Sequence, residues 1–240
     1  MLSLCIAMFA LSAGAAGPAD AVRGGERKVA ITQLSGLGLE NKLVRAFERY
    51  LETSVGTIDG VSTITSVDVE IALQDPRNEA IRRCGGGTRA RVACAAALGK
   101  VLGADTVIYG TIGAIGESYS VNLRAVDVAS RSESAKHSAT IAGSRDRLIP
   151  EVRLAAFKLV APDKIQGTLK VEFNVAGVLV EIDGREIGTT PLKNPSLSLP
   201  PGAHVVVLRR PGFKEFQQEF EIEAFETTRL RLELELLERD

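Results

Sequence analysis

The feature that most restricts the fold of this chain is a series of closely spaced turn signals within residues 177–213. Val178, Val180 and Ile182 alternate with more polar residues, which is the pattern of a strand with one buried face. The dipeptide Asp183-Gly184 follows directly and indicates a two-residue hairpin loop. Strands this short, broken by turns this often, predict a small antiparallel β-sandwich. The later turn signals are Gly188-Thr189-Thr190-Pro191, Pro200-Pro201-Gly202 and Pro211-Gly212.

An ordered set of turn residues in this segment carries a family resemblance: Asp183, Gly184, Gly188, Thr190, Pro191, Gly202, His204 and Gly212. With these residues, the segment 167–235 resembles the PEGA domain, a bacterial cell-envelope module. The Pro-Glu-Gly-Ala tetrad of that family would stand just before Val178, where this chain has Asn174-Val175-Ala176-Gly177. The resemblance implies an extracytoplasmic β-domain of binding or structural type, without catalytic residues.

The first residues of the chain have the character of an export signal. Residues 1–16 carry no charge and are dominated by apolar side chains, and small residues follow in a pattern typical of a cleavage site. The span is too short for a membrane helix, which needs about 20 apolar residues. We therefore predict a signal peptide at residues 1–21 and a tether at 22–27, with a buried N-terminal helix as the alternative.

Cys5 raises the hypothesis of a lipid anchor, because a lipid-modified cysteine would attach the mature chain to a membrane. The preceding Leu2-Ser3-Leu4 lacks the small residue expected there, and apolar sequence continues beyond Cys5. We favour a cysteine that is removed with the signal. No later segment reaches the apolar length of a membrane helix, so the prediction is an exported protein, periplasmic or associated with the outer membrane or cell surface.

Between residues 28 and 160, strand patterns alternate with helix patterns. Strands are predicted at 28–35, 61–65, 106–112, 118–127 and 134–141, and helices at 41–55, 67–73, 88–102 and 144–159. This order predicts a mixed sheet with helices packed against it. The fold class of the whole chain is therefore α+β: a mixed α/β domain at 28–160, a linker at 161–166, and a small all-β sandwich of PEGA type at 167–236.

The α/β segment carries a second resemblance. Leu98-Gly99, Gly103-Ala104-Asp105 and Gly110 stand at a predicted helix end, strand start and strand exit. With these residues the segment resembles the N-terminal domain of the Tol-system propeller protein and related outer-membrane assembly proteins. The resemblance implies a periplasmic interaction domain, whose partner is an envelope protein or a cell-wall component.

Cys84 and Cys94 are the thiols that remain once the predicted signal is removed. An even pair in an oxidising compartment predicts a disulfide, with two free buried thiols as the alternative. The spacing is not that of a C-x-x-C redox motif, and a zinc site would need further ligands. We therefore predict no metal site.

Other chemistry has few candidates in this sequence. His137 is expected at a solvated strand position, and His204 is expected to hold a turn by a hydrogen bond. Asp183 is expected to serve the hairpin turn rather than catalysis. With 29 basic and 30 acidic residues, the chain has no basic excess of the kind that nucleic-acid binding requires. The expectation is no enzyme activity, no cofactor and no nucleic-acid partner.

Two functional hypotheses remain open. The first is a non-catalytic envelope protein that binds another envelope component through its α/β domain, with the PEGA-like module as a binding or spacer unit. The second is a small-molecule sensor or a regulatory subunit of a cell-wall enzyme. A cavity between the sheet and the Cys84–Cys94 loop would favour the second hypothesis, since ligands bind in concave sites.

Overall fold

The computed structural model describes residues 25–84 and 87–237. The predicted signal peptide at residues 1–21, including Cys5, lies outside these ranges. Thirteen strands and five α-helices make up the described part of the chain. The strands are β1 (Arg27–Ile31), β2 (Ser35–Leu37), β3 (Val61–Ile64), β4 (Thr106–Ile115), β5 (Ser118–Asp127), β6 (Ser132–Ala142), β7 (Gly167–Phe173), β8 (Leu179–Ile182), β9 (Arg185–Thr189), β10 (Ser196–Leu199), β11 (Gly202–Arg209), β12 (Phe216–Ile222) and β13 (Thr227–Leu232). The helices are α1 (Asn41–Gly56), α2 (Ser66–Gln74), α3 (Glu79–Arg82), α4 (Thr88–Leu102) and α5 (Leu148–Val160).

The first six strands form one mixed sheet in the order β3-β1-β4-β5-β6, with β2 paired to the later part of β4. Strands β3, β1 and β4 run parallel, whereas β4, β5 and β6 are antiparallel neighbours. The predicted mixed sheet is therefore confirmed. Parallel neighbours require crossover connections, and helices supply them here.

Helices cover the two faces of this sheet unequally. On one face α1 and α5 pack over a core that includes Leu51, Ile108 and Leu148, all fully buried. On the other face α2 and α4 cover a smaller core around Val69, Leu98 and Val107. Helix α4 approaches the sheet closely because it carries Gly99. A Cβ there would lie 2.3 Å from a Val128 methyl carbon.

The sequence predictions for the α/β part differ from the structure at several element ends. Strand β2 and helix α3 are not among the predicted elements, because three or four residues are too few to carry a periodic pattern. Helix α2 begins at Ser66, one residue earlier than predicted, and is capped by Thr65. The Thr65 hydroxyl accepts from Asp68 N–H, and the Asp68 carboxylate accepts from Thr65 N–H, which is a capping box.

The C-terminal part is a sandwich of two sheets, ordered β10-β7-β13 and β12-β11-β8-β9. The predicted alternation in the β8 region is confirmed, since Val178, Val180 and Ile182 are buried in the core between the sheets. One feature differs from the predicted antiparallel sandwich, because β13 pairs with β7 in parallel. The long connection through the second sheet brings β13 back beside β7 in the same direction. Local sequence patterns do not predict this pairing.

The α/β part and the sandwich contact each other directly. The Phe225 ring, in the turn between β12 and β13, lies 4.7 Å from the Phe157 ring on α5. The Arg153 guanidinium stands 4.3 Å above the Phe225 ring centroid, a cation–π contact. Within residues 25–84 and 87–237, no helix has the length and apolar character that crossing a membrane requires.

Candidate ligand-binding cavity

A cavity of about 510 Å³ opens on the α2 and α4 side of the sheet. It arises where the segment between β1 and β2 loses its pairing with β4. Strand β1 pairs with β4 as far as Ile108, and β2 resumes the pairing at Thr111, so Thr32 and Gln33 bulge away from Tyr109 and Gly110. These residues form one wall. Small-molecule sites commonly have volumes of roughly 300–1,000 Å³, and this cavity lies within that range.

The break between β1 and β2 is held open by a buried carboxylate on the far face of the sheet. Glu48 on α1 is 3% exposed, and it accepts a hydrogen bond from Leu34 N–H at 2.7 Å. Burial raises the pKa of the Glu48 carboxyl, and the hydrogen bond from Leu34 offsets only part of that rise. Because Leu34 is drawn to the α1 face, Gln33 is left on the cavity side, where it donates to Glu70 at 2.9 Å.

The opposite wall contains the predicted disulfide, which the structure confirms. Cys84 and Cys94 are bonded, with their Cα atoms 5.9 Å apart, and both line the cavity. The bond ties the segment after α3 to the second turn of α4. The condition that favours the sensor hypothesis, a cavity between the sheet and this loop, is therefore met.

The charged side chains that line the cavity are all cationic. Arg82, Arg91 and Arg124 all line it. Arg124 pairs with Glu133, and Arg82 with Glu79 at a long 3.5 Å. Arg91 has no ion-pair partner within the described ranges. These arginines lie on α3, α4 and β5, so the tertiary fold and not a linear motif brings them together.

The hydroxyl of Tyr109 is buried in the same region and has no hydrogen-bond partner among the residues the structure describes. Burial raises the pKa of the Tyr109 phenol, and the Glu133 carboxylate adds to this; Arg124 and Arg91 act in the opposite direction without reversing it. The phenol therefore keeps its proton at neutral pH and remains a hydrogen-bond donor. Tyr109 and Thr111 on the cavity face of β4 are only half-buried, whereas Ile108 and Ile112 on the other face are buried.

The predicted PEGA turn residues lie at the two ends of β8, away from this cavity. At one end, Asp183 and Gly184 both have positive φ and form the β8–β9 hairpin loop. Nearby, His204 donates from Nδ1 to Asp183 at 2.6 Å and from Nε2 to the Pro200 carbonyl at 2.8 Å. Gly202, with φ of 132°, begins the strand that carries His204.

These hydrogen bonds give His204 and Asp183 a structural role. Burial disfavours the charged His204 ring, but the hydrogen bonds to Asp183 and Pro200 outweigh it and raise the pKa of His204. The hydrogen bond from His204, together with one from Val205 N–H, lowers the pKa of Asp183. Both ring nitrogens are engaged, so the ring has no free nitrogen for acid–base chemistry. The predicted turn-stabilising hydrogen bond of His204 is confirmed.

At the other end of β8, Thr190 holds the loop that stands in place of the family tetrad. Its hydroxyl accepts from Val178 N–H and donates to the Val175 carbonyl, each at 3.0 Å. Gly177 N–H donates to the Thr190 carbonyl at 2.9 Å. Gly188 stands two residues before Thr190 and Pro191 follows it directly, and Gly212 lies in the turn after β11. The loop is therefore fixed by backbone and hydroxyl contacts without the Pro-Glu-Gly-Ala residues.

The prediction that His137 lies at a solvated position is wrong. His137 is 7% exposed, and its Nε2 stands 2.5 Å from a Glu151 carboxylate oxygen on α5. The strand carries small residues around His137, and its periodicity does not reveal that α5 covers this position. Within the described residues, no group of three or more His, Cys, Asp or Glu side chains has the geometry of a metal site.

Several solved structures show a weak likeness to this chain. The LpoB C-terminal domain of Salmonella enterica is 11% identical with a TM-score of 0.37, over 49% of this chain and 84% of that one. Lipoprotein GNA1162 of Neisseria meningitidis is 15% identical with a TM-score of 0.35, over 50% and 82%. TolB of Acinetobacter baumannii is 14% identical with a TM-score of 0.37, over 84% of this chain and 50% of TolB. TM-scores this low do not establish a common fold.

Comparison with curated proteins finds no match. The C-terminal part of the chain matches a family model over residues 166–238. This match spans the sandwich from β7 to β13 and contains all the turn residues that carried the resemblance. Residues 166–238 of this protein are a PEGA domain.

Proposed function

We propose that this protein is a non-catalytic, exported component of the bacterial cell envelope. Its α/β domain, residues 28–160, binds another envelope protein or a cell-wall component. Residues 161–166 link that domain to the sandwich at 167–236, which is a second binding surface or a spacer. The PEGA match at residues 166–238 carries the proposal, because that family is a cell-envelope module of binding or structural type.

Two features of the molecule support this proposal. The Cys84–Cys94 disulfide suits an oxidising compartment such as the periplasm. The contacts of His204 and His137 suit a protein without catalysis, since one ring is fixed between Asp183 and Pro200 and the other is buried beside Glu151.

Cell fractionation with N-terminal sequencing tests the export part of this proposal. We expect the mature chain in the periplasm or on the outer membrane or cell surface, beginning after residue 21. A chain recovered from the cytoplasm with residues 1–21 intact would contradict export.

Photo-crosslinking in the envelope tests the binding part. A photoreactive residue is placed at Ile71 on α2, Lys42 on α1 or Lys136 on β6, which are exposed on different sides of the α/β domain. Glu186, exposed on β9, is the matched position in the PEGA domain. We expect at least one α/β position to crosslink a defined envelope protein or wall fragment that Glu186 does not. Absence of such a product from all three positions would count against binding through this domain.

The cavity beside the disulfide favours a second candidate function, a small-molecule sensor or a regulatory subunit of a cell-wall enzyme. The observation that favours it is the volume of about 510 Å³ bounded by Tyr109, Arg91 and the disulfide. Native mass spectrometry of the protein after incubation with a small-molecule extract of the envelope tests it. A bound mass that is lost on Ala95→Leu, which enlarges an α4 side chain on the cavity wall, in a variant that melts like the wild type supports the function, and no bound mass contradicts it.

A further inference from the structure

The charge around the cavity is unusual for this chain. Sixteen residues line the cavity, and among them are three arginines and no aspartate or glutamate. The chain as a whole has nearly equal numbers of basic and acidic residues, so the excess of arginine is local. Clefts lined by one sign of charge attract ligands of the opposite sign.

The acidic residues nearby pair with two of the three cavity arginines. Glu133 pairs with Arg124, and Glu79 is shared between Arg82 and Arg83. Glu70 accepts from the Gln33 amide. Arg91 is left as the cation without an ion-pair partner within residues 25–84 and 87–237. Guanidinium groups bind carboxylates and phosphates through paired N–H donors.

Tyr109 supplies a second, independent indication of a ligand. Its buried hydroxyl has no hydrogen-bond partner in the described part of the chain, and an unsatisfied buried donor destabilises the folded protein. A ligand oxygen near this hydroxyl would remove that cost. Arg91 and Arg124 both act electrostatically on Tyr109, as does the Glu133 carboxylate paired with Arg124, so Arg91 is the unpaired cation near this oxygen among the described residues.

Part of the remaining cavity wall is apolar, which makes a bare inorganic ion a poor occupant. Leu73, Ile81, Ala95 and Leu98 line it together with the disulfide. Apolar surface of this kind gains free energy by covering an apolar ligand body. The ligand that satisfies both parts of the wall has one acidic group and a compact apolar body.

We propose that this cavity binds a small anionic organic molecule. Its acidic group lies between Arg91 and Arg124 and accepts a hydrogen bond from Tyr109, and its apolar body lies against Leu98 and the disulfide. This inference rests on the ligand-binding function proposed above and adds the chemical class of the ligand.

A matched pair of fluorescent probes tests the charge preference. Anilinonaphthalene sulfonate carries an apolar body and one anionic group, and N-phenylnaphthylamine has the same ring skeleton without the anion. We expect the sulfonate to bind the purified protein at least about tenfold more tightly, as loss of charge-assisted hydrogen bonds predicts. NMR titration is expected to shift the backbone amides of Tyr109, Gly110 and Thr111.

Variants connect this preference to the named residues. Arg91→Gln and Tyr109→Phe are each expected to weaken sulfonate binding, Arg91→Gln by about tenfold, and to leave N-phenylnaphthylamine binding unchanged. Arg49→Gln is the control, because Arg49 is an exposed arginine on α1, across the sheet from the cavity. Arg91 is itself exposed, so its replacement leaves the core intact. Thermal melting of each variant verifies folding.

The outcomes separate the two proposals. If both probes bind the cavity equally, or if Arg91→Gln binds the sulfonate like the wild type, the anion inference fails while small-molecule binding stands. If neither probe shifts the Tyr109, Gly110 and Thr111 amides, and sulfonate binding maps elsewhere, both proposals fail.

Discussion

The His204–Asp183 pair makes the stability of the PEGA domain depend on pH. The pKa of His204 is raised above its ordinary 6.5, so its stabilisation is complete below that pH and is lost as pH rises through the folded pKa. The pKa of Asp183 is lowered below 3.8, so its stabilisation is present above 3.8 and is lost as pH falls through the folded pKa. The pair therefore stabilises most between these two values.

We predict that the free energy of unfolding falls as pH rises from about 6 to about 9, because His204 loses its proton. The fall is small, roughly 0.5–1 kcal/mol, because Asp183 is partly exposed and solvent screens the pair. Asp183→Asn should remove most of this dependence, since asparagine tolerates the positive φ of the hairpin but lacks the charge. Urea unfolding at both pH values measures the effect, and NMR titration of the His204 ring should give a pKa above the ordinary value. An unchanged pH dependence in Asp183→Asn would contradict the prediction.

Gly110 is required by the close approach of β5. A Cβ at Gly110 would stand 2.1 Å from the Asn122 carbonyl oxygen and 2.9 Å from the Leu123 Cα, and backbone atoms of a central strand cannot move freely. We predict that Gly110→Ala lowers the free energy of unfolding by about 1–3 kcal/mol, measured by urea unfolding. Gly56→Ala is the control, because a Cβ there meets only Thr63 Oγ1 at 3.5 Å. Equal effects of the two substitutions would be inconsistent with a steric role for Gly110.

The Cys84–Cys94 bond stabilises a region that has little core of its own. Helix α3 has four residues and none of them is buried, so its position relies on the bond to α4. We predict that Cys84→Ser with Cys94→Ser lowers the free energy of unfolding by about 2–3 kcal/mol, chiefly because the unfolded chain gains freedom. Urea unfolding with and without reductant measures this, and reductant should affect only the wild type. Two free thiols in the unreduced, denatured wild type would refute the bond.

Across the whole molecule, Phe225 couples the PEGA domain to α5. It packs against Phe157 and beneath Arg153, while the two parts keep separate cores. We predict that Phe225→Ala leaves both cores folded but speeds protease cleavage within residues 161–166 and broadens the distribution of shapes in small-angle X-ray scattering. Phe225→Leu retains apolar contact and should lie between Ala and the wild type. Wild-type cleavage rates in Phe225→Ala would show that this contact does not restrict the two parts.

The PEGA domain was predictable from sequence because its signals are local. Asp183-Gly184 specifies a hairpin loop through backbone preferences of two neighbouring residues, and Val178, Val180 and Ile182 identify the buried face by simple alternation. The hydrogen bond of His204 was expected for the same reason, since a turn brings its partners close. The parallel pairing of β13 with β7 was not expected, because it joins segments about sixty residues apart in the chain.

The sequence by itself thus determined the order of the longer strands and helices, the cysteine pair and the identity of the C-terminal domain, all of which depend on neighbours in the chain or on short loops. Only the tertiary structure decided the cavity. Arg91, Tyr109 and Arg124 occupy an α-helix and two strands, and none stands in a pattern that differs from an ordinary solvated or half-buried face. Their placement around one cavity depends on the break between β1 and β2, where Glu48 binds Leu34 N–H from the opposite side of the sheet. Such a site exists only after long-range packing has placed these residues around the same space.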